Sequence, residues 1–191
     1  MQRRRLAPWV FGVALVAVSV LSYGVYTAGD AYRVLPTPFA FRFPDLEGHI
    51  VDAADLRGKV VLVNIFATWC PPCLKEMPDL QVLSDTYKDQ GLVVVGISLD
   101  RPGLMGLAKS LQLREHLRRF AAQLRVSYPI LLADQAITMM EDGQMMVTQL
   151  GGVSGIPTTY ILNRDGRVVE TFIGYRKRAV FEQAVQRVLA R

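Results

Sequence analysis

The sequence predicts an α/β domain in which helices flank a central sheet of parallel and antiparallel strands. Two observations indicate the parallel part: residues 60–67 and 92–99 are almost uninterrupted apolar runs, and a segment of helical period separates them. A third observation indicates the antiparallel part. Residues 158–162 and 168–173 are rich in strand-forming side chains and flank the turn NRDG at 163–166, which is typical of a β-hairpin.

The N-terminus has the charge pattern of a membrane anchor. Residues 6–29 contain no charged side chain, and at about 1.5 Å per residue a helix of that length would cross a hydrocarbon core of about 30 Å. Arginines at positions 3–5 precede this run, and Trp9, Tyr23 and Tyr26 lie where interfacial aromatic residues are expected. We therefore expect Leu6–Gly29 to lie in the lipid bilayer as a transmembrane helix.

The anchor predicts the domain organisation and the side of the membrane. Residues 1–5 would be a cytoplasmic basic tail, residues 6–29 the anchor, residues 30–38 a linker and residues 39–191 a folded domain. Because positive charge favours the cytoplasmic side, we expect one pass through the inner membrane, with the domain in the periplasm. A cleaved signal peptide is the alternative, and it would have a shorter apolar region, of about 7–15 residues, with a small-x-small cleavage site.

The net charge gives little reason to expect a nucleic-acid partner. The chain carries 22 Lys and Arg against 17 Asp and Glu, a formal charge of +5. Without the three arginines at 3–5 the balance is 19 against 17, or +2. The basic charge is therefore partly a topology signal and does not indicate binding to DNA or RNA.

The segment before the central strand has the pattern of a short β-hairpin. Prolines at 36 and 38 hold the linker extended, and phenylalanines at 39, 41 and 43 alternate with other residues, as in a strand with one buried face. Residues 45–48 (DLEG) are turn residues, and Ile50-Val51 can return as a second strand. Residues 55–58 then turn the chain into the central strand.

The motif WCPPC at residues 69–73 lies where the central strand hands over to a helix. A helix N-terminus favours a thiolate, so the position predicts a redox-active dithiol. A structural disulfide with this spacing would constrain little of the chain, and a zinc site would need more ligands than His49 and His116 offer at their spacing. We expect Cys70 to be the exposed attacking nucleophile, and Cys73, one turn inside the helix, to resolve the mixed disulfide.

The second half of the chain completes the alternation of helices and strands. Residues 104–124 have apolar side chains at helical spacing, with arginines mostly on the other face; that face is either solvated or a docking surface. Residues 128–132 read as a short strand, and residues 180–189 as an amphipathic helix that can cover one face of the sheet.

A methionine cluster occupies the segment that is hardest to interpret, residues 134–150. Its members are Met139, Met140, Met145 and Met146. Thioether sulfur is a soft ligand that can bind Cu(I), whereas methionine more often fills irregular gaps in a core or forms an adaptable surface. Both interpretations remain open for this cluster.

Residues 64–78, NIFATWCPPCLKEMP, resemble the active-site segment of membrane-anchored thioredoxin-like proteins of the TlpA/ResA group, which are thiol:disulfide oxidoreductases. The resemblance runs from about position 38 to the C-terminus. It includes DLEGHIVDAADLRGKVVLVN at 45–64 and GIPTTYILNRDGRV at 155–168. It implies a thioredoxin-like fold capped by the N-terminal hairpin. It also implies a cis Pro157 that faces the dithiol and leaves the Ile156 backbone free to pair with an extended substrate.

Three further residues are expected at the substrate surface around the dithiol. Pro71 and Pro72 have no backbone N–H group. This costs nothing in the first helical turn, whose N–H groups have no partner within the helix, and the proline rings stiffen the loop. Trp69 would shield one flank of the dithiol, or would simply pack against the domain.

Asn64 and Glu76 mark a departure from thioredoxin itself. Asn64 stands where thioredoxin has a buried aspartate on the central strand, and an amide side chain cannot move a proton. Glu76 matches a glutamate of the ResA-like proteins and lies one helical turn after Cys73, so it can project from the same face as that thiol and replace the aspartate. A solvated surface glutamate is the alternative interpretation.

Together these observations predict an extracytoplasmic, membrane-tethered thiol:disulfide oxidoreductase without a bound cofactor or metal. We expect it to reduce disulfides of exported proteins with electrons from an upstream membrane donor, and the resemblance suggests apocytochrome c as a client. A rival interpretation is Cu(I) delivery through the two cysteines and the methionine cluster. A thiol peroxidase is a weaker competitor.

Overall fold

The computed structural model describes residues 39–102, 110–134, 136–139, 145–147 and 150–191. Within these ranges, no helix combines the length and the apolar character that crossing a bilayer requires. The basic tail, the anchor and the linker, predicted for residues 1–38, lie outside the described residues.

Strands and helices follow one another in the order that the sequence predicts for the core. In chain order they are β1 Arg42–Pro44, β2 Ile50–Asp52, β3 Val60–Phe66, α1 Pro71–Tyr87, β4 Leu92–Ser98, α2 Ser110–Leu124, β5 Ile130–Leu132, β6 Ile137–Met139, β7 Met145–Val147, β8 Gly151–Val153, β9 Thr158–Leu162, β10 Val168–Ile173 and α3 Arg178–Leu189. The α/β thioredoxin-like prediction is thus confirmed at the level of the fold.

The central sheet is mixed, as predicted, with strand order β10-β9-β3-β4-β5. β3 is parallel to β4 along its whole length, and β4 is parallel to β5. β9 runs antiparallel to both β3 and β10, so the C-terminal hairpin joins the sheet through β9. β3 is buried at every position, as its uninterrupted apolar run indicates.

The N-terminal hairpin β1–β2 is antiparallel, and its aromatic side chains cover one face of the sheet. The three phenylalanines at 39, 41 and 43 are buried while Ala40 and Arg42 between them are exposed, which confirms the predicted alternation. The Phe39 ring lies 5.2 Å from the Tyr160 ring on β9, measured between centroids. Regular strand pairing nevertheless covers fewer residues than the alternation suggests.

Helix α1 carries the motif at its N-terminus and packs its predicted apolar face into the core. Met77, Leu80, Leu83 and Tyr87 are all buried. Pro78 lies inside the helix, and a short 3-10 turn ends at Gly91, whose φ of 94° is the left-handed conformation that favours glycine.

A small antiparallel sheet, β6-β7-β8, occupies the segment with the methionine cluster. No strand was predicted here, because a three-residue strand is too short to show an alternating pattern. Met139 on β6 and Met145 on β7 are backbone partners. Met140 lies outside the described residues, as do the side chains of the whole cluster.

Candidate active site

The two cysteines form a disulfide at the junction of β3 and α1. Cys70 is the N-cap of α1, with extended backbone, and its Sγ accepts a hydrogen bond of 3.3 Å from the backbone N–H of Cys73. Pro71 and Pro72 occupy the first helical positions, as predicted. The dithiol therefore lies at the positive end of the helix dipole, where a thiolate is favoured.

Cys70 is less accessible than we expected. Only 4% of its surface is exposed in the disulfide form, and Cys73 is fully buried. The prediction of an exposed nucleophile is thus wrong for this form, because a tight turn, in which Cys70 N–H donates to Ala67 C=O at 3.2 Å, draws Cys70 back into the core cluster.

The surface over the disulfide is formed by the flanking residues of the motif. Trp69 is 52% exposed, and Pro71 and Pro72 are exposed as well. About half of the Trp69 side chain is buried and half faces solvent, so its shielding of the dithiol stays a prediction.

The Ile156–Pro157 bond is cis, as the resemblance implied. The next residue, Thr158, pairs with Ile65 near the end of β3, which brings this loop to the edge of the sheet where the motif begins. Pro157 is buried and its carbonyl accepts a hydrogen bond from Gly174 N–H at 2.7 Å. The Ile156 backbone makes no hydrogen bond to another described residue, which suits pairing with an extended chain.

Glu76 is fully buried, so the surface interpretation of this residue is wrong. Its Oε1 accepts from Asn64 Nδ2 at 2.9 Å and from Thr159 Oγ1 at 3.2 Å. Its Oε2 accepts from the backbone N–H of Arg176 at 3.1 Å. The loop that supplies this N–H is held on α1 by Lys75, whose Nζ lies 5.0 Å from the centre of the adjacent Tyr175 ring.

Burial raises the pKa of Glu76 from its ordinary 4.5 to about 7. The hydrogen bonds from Arg176, Thr159 and Asn64, and the Arg176 charge, oppose this rise without cancelling it. The Glu76 carboxyl group thus exchanges its proton near neutral pH, one helical turn from Cys73.

Asn64 donates to this carboxylate and also to Thr159 Oγ1, at 3.0 Å. The amide therefore acts as a hydrogen-bond donor to Glu76, at the position where thioredoxin has an acid.

In the described residues, Asn64 Oδ1 and the Tyr128 hydroxyl are buried without a hydrogen-bond partner. Burial and the Glu76 charge raise the pKa of Tyr128. Gly96 pairs with Asn64 in the β3–β4 register and leaves room for the Tyr128 ring, since a Cβ at position 96 would lie 3.2 Å from that ring.

Sequence reasoning missed a second polar cluster beside the motif. Asp100, two residues after the end of β4, is fully buried and bonded to Thr68, which in turn contacts His116 on α2. The position of Asp100 at the carboxyl end of a parallel strand was a signal, because sites gather at that edge of a sheet. Thr159 and Arg176 carried no such signal.

The described residues do not test the copper interpretation. No group of three or more His, Cys, Asp or Glu side chains suited to a metal lies among the residues that the structure describes. The methionine thioethers, which would be the distinguishing ligands, are not among the described side chains.

A strand-to-helix dithiol, a cis-proline loop beside it and a buried carboxyl group under it define a thiol:disulfide oxidoreductase of thioredoxin-like fold. The comparisons agree. Residues 28–188 match the family model Redoxin, so the chain belongs to the Redoxin family.

Within this family the chain is ResA-like. It is 27% identical over 180 residues to the thiol-disulfide oxidoreductase ResA of Geobacillus kaustophilus, covering 92% of each chain. It is 28% identical over 183 residues to ResA of Halalkalibacterium halodurans, covering 93% of each. Among solved structures, a thiol:disulfide interchange protein of the thioredoxin family from Chlorobium tepidum matches with a TM-score of 0.60 and 27% identity, over 82% of this chain and 99% of that one.

Proposed function

We propose that this protein is a membrane-tethered reductant of disulfides in exported proteins, acting in the periplasm. The observation that carries the proposal is the Cys70–Cys73 pair at the N-terminus of α1, with the buried Glu76 carboxyl group one turn beyond it. Thioredoxin-like enzymes use this arrangement to transfer two electrons between dithiols and disulfides.

In the proposed reaction, the Cys70 thiolate attacks one sulfur of the client disulfide. A Cys70–client disulfide forms, and the client's other sulfur leaves as a thiolate. Cys73 then loses its proton and attacks Cys70 Sγ, which restores the Cys70–Cys73 disulfide and releases the second client thiol. The client gains two electrons and the dithiol loses two, so an upstream membrane dithiol donor must reduce the pair again.

Glu76 is the proposed acceptor of the Cys73 proton in the second step. Its pKa of about 7 is near the working pH, which suits a general base. Since both side chains are fully buried, the proton cannot pass directly to bulk water, and a neighbouring carboxylate gives it a place to go.

The direction of electron flow follows from the charge balance. A thioredoxin-fold protein is oxidising when a low-pKa thiolate stabilises its reduced form. Here the helix N-terminus favours the thiolate, but an ionised Glu76 opposes it, and the two prolines add no donor. We therefore expect a reduction potential more negative than about −200 mV, nearer the value of about −270 mV for thioredoxin.

The client is proposed from the resemblance to the ResA-like proteins. A reductant tethered outside the cytoplasm would reduce disulfides that form in that oxidising compartment, and apocytochrome c is the proposed client. The exposed Trp69 and the loop at Ile156 would contact an extended segment of it.

The central experiment traps the client on full-length protein in its native membrane. Cys73→Ser should accumulate mixed disulfides, because Cys70 still attacks and nothing resolves the product, whereas Cys70→Ser should trap none. Partners are then identified by mass spectrometry. Equal trapping by both variants would contradict the assignment of roles, and trapped apocytochrome c would support the client.

A second experiment tests the tether. A reporter that is active only outside the cytoplasm, fused after Arg33, should be active and sediment with membranes. Recovery of the full-length protein in the soluble fraction would exclude the anchor, and a soluble product shortened at its N-terminus would favour the cleaved signal.

A third experiment tests the direction. The wild-type pair is equilibrated with glutathione or dithiothreitol buffers, and Glu76→Gln should make the potential less negative, since a negative charge beside the thiols is lost. A wild-type potential near −120 mV, as in the strong oxidant DsbA, would turn the proposed reductant into an oxidase.

A further inference from the structure

A second buried carboxyl group, that of Asp100, is bonded to Thr68, two residues before Cys70. Its two oxygens accept from the backbone N–H of Thr68, at 3.2 Å for Oδ1 and 3.0 Å for Oδ2. Oδ1 also accepts from Thr68 Oγ1 at 2.9 Å, and Oδ2 from Ser98 Oγ at 2.9 Å. Every donor here is a neutral group, and no ion pair to this carboxyl group is found among the described residues.

Thr68 extends this cluster to helix α2. His116 Nε2 lies 3.2 Å from Thr68 Oγ1. The threonine hydroxyl has one hydrogen, which it donates to Asp100, so the hydrogen between His116 and Thr68 is on Nε2. The chain of donors therefore runs from the half-buried His116 through Thr68 to the fully buried Asp100.

This chain of bonds holds the segment that presents Cys70. Thr68 and Cys70 are two residues apart, so their Cα atoms lie within about 7 Å. Between them, Cys70 N–H closes a turn on Ala67 C=O at 3.2 Å. Thr68 N–H and Oγ1–H donate hydrogen bonds to the Asp100 carboxylate, which holds the start of that turn in place. This turn places Cys70 at the N-cap of α1.

We propose that Asp100, through Thr68 and with His116 as its outer donor, positions Cys70 and disfavours the Cys70 thiolate by its negative charge. The assignment goes beyond the exchange activity itself and rests on it. Asp100 and His116 are positioning residues; they do not touch the client.

A packing role alone does not explain a carboxylate at this position. Burying a carboxylate without a cation is costly. Here both of its oxygens accept from hydroxyl groups, whereas an asparagine has one acceptor oxygen and would turn its NH2 group toward one of those donors. The acid therefore differs from the amide in its second acceptor oxygen and in its charge. In the low-dielectric surroundings of the core, that charge acts on a nearby thiolate more strongly than it would in water.

The charge is tested with Asp100→Asn in the full chain, which keeps the shape of the side chain. We expect the equilibrium constant with glutathione to shift about tenfold toward the reduced pair, which corresponds to about 30 mV. In the Cys73→Ser background, the pH midpoint of Cys70 alkylation should fall by roughly one unit. Asp85→Asn, an exposed aspartate at the far end of α1, is the matched control and should shift neither.

Positioning is tested with a pair of variants at Thr68. Thr68→Val removes the hydroxyl and should slow the attack of Cys70 on a model disulfide several-fold, whereas Thr68→Ser keeps it and should react like the wild type. His116→Gln retains a donor and should also behave like the wild type, while His116→Phe should follow Thr68→Val.

The results separate this inference from the proposed function. If Asp100→Asn folds and leaves both the equilibrium constant and the alkylation midpoint unchanged, or if Asp85→Asn shifts them equally, the inference is overturned. If Asp100→Asn does not fold, the Thr68 pair decides, and equal rates for Val and Ser overturn it. A wild-type pair that fails to exchange with glutathione would instead contradict the redox function.

Discussion

Two fully buried carboxyl groups, those of Glu76 and Asp100, are bonded to residues near the dithiol motif, and the two are held differently. Glu76 is bonded by residues that lie 12, 83 and 100 positions away in the sequence. Asp100 is bonded by residues that lie 2 and 32 positions away. The first is held by the assembled core, and the second by the loop that leads into the motif.

The hydrogen-bond donors of each carboxyl group indicate what that group is suited to do. The Glu76 carboxyl group receives three hydrogen bonds, which are too few to offset burial, so its pKa rises to about 7 and it can carry a proton. The Asp100 carboxyl group receives both the backbone N–H and the hydroxyl of Thr68, so movement of that carboxylate would move the Cys70 turn. One acid is suited to proton transfer and the other to positioning.

The largest expected effect concerns stability and isolates Glu76. The folded protein binds the Glu76 proton more tightly than the unfolded chain, so the free energy of unfolding should fall as pH rises from 4.5 to about 7. The fall attributable to this group is about 3 kcal/mol at most, and below pH 4.5 its full stabilisation is present. Urea unfolding of the oxidised protein across this range measures it.

In Glu76→Gln this component of the slope should be absent, and in Asp85→Asn it should remain. Parallel pH profiles for the wild type and Glu76→Gln would contradict this prediction, because Glu76 would then not take up a proton near neutral pH.

A smaller effect is expected from the donors of Glu76. Thr159→Val deletes the hydroxyl that bonds Oε1, which removes about 1 kcal/mol of stabilisation from the ionised form and raises the Glu76 pKa further, by up to roughly one unit. The upper end of the stability slope should then move to higher pH. Thr159→Ser keeps the donor and should leave that limit in place; if both variants behave alike, the hydroxyl does not stabilise the ionised carboxylate.

The smallest effect on stability is expected at Trp69, which lies on the surface beside the disulfide. Trp69→Ala should change the free energy of unfolding by no more than about 0.5 kcal/mol, because the side chain is half exposed, and should leave the pH slope intact. In the Cys73→Ser background it should nevertheless reduce the yield of trapped client. A changed slope would mean that Trp69 shields the carboxyl groups, in addition to any role in binding the client.

Much of the fold was predictable because its signals are local. The apolar runs of β3 and β4, the period of α1 and the turn at 163–166 each reflect burial or backbone conformation within a few residues. The small sheet β6-β7-β8 was not predictable, because its three-residue strands contain glycine and methionine, which show no strand pattern.

The candidate site was predictable only in part. The dithiol follows from spacing and the cis Pro157 from resemblance, whereas the burial of Glu76 and Asp100 depends on residues brought together by the sheet. His116 is an example of what the sequence could not predict. It was considered only as a metal ligand, with no second ligand at a suitable spacing, and its contact with Thr68 arises only when α2 packs beside the motif.

The long separation between Glu76 and its donors has a consequence for biosynthesis. Ribosomes add about 5–20 residues per second. Arg176 lies 100 positions after Glu76, so it is added about 5–20 s later. Until β9 and then the loop that supplies Arg176 N–H have been made, the new glutamate lacks these donors and is not enclosed, so it titrates at its ordinary 4.5. The two thiols likewise emerge before the strands and helix that enclose them. The nascent chain therefore passes through a stage in which its cysteines are open to oxidants or other thiols, before the tuned site has been assembled.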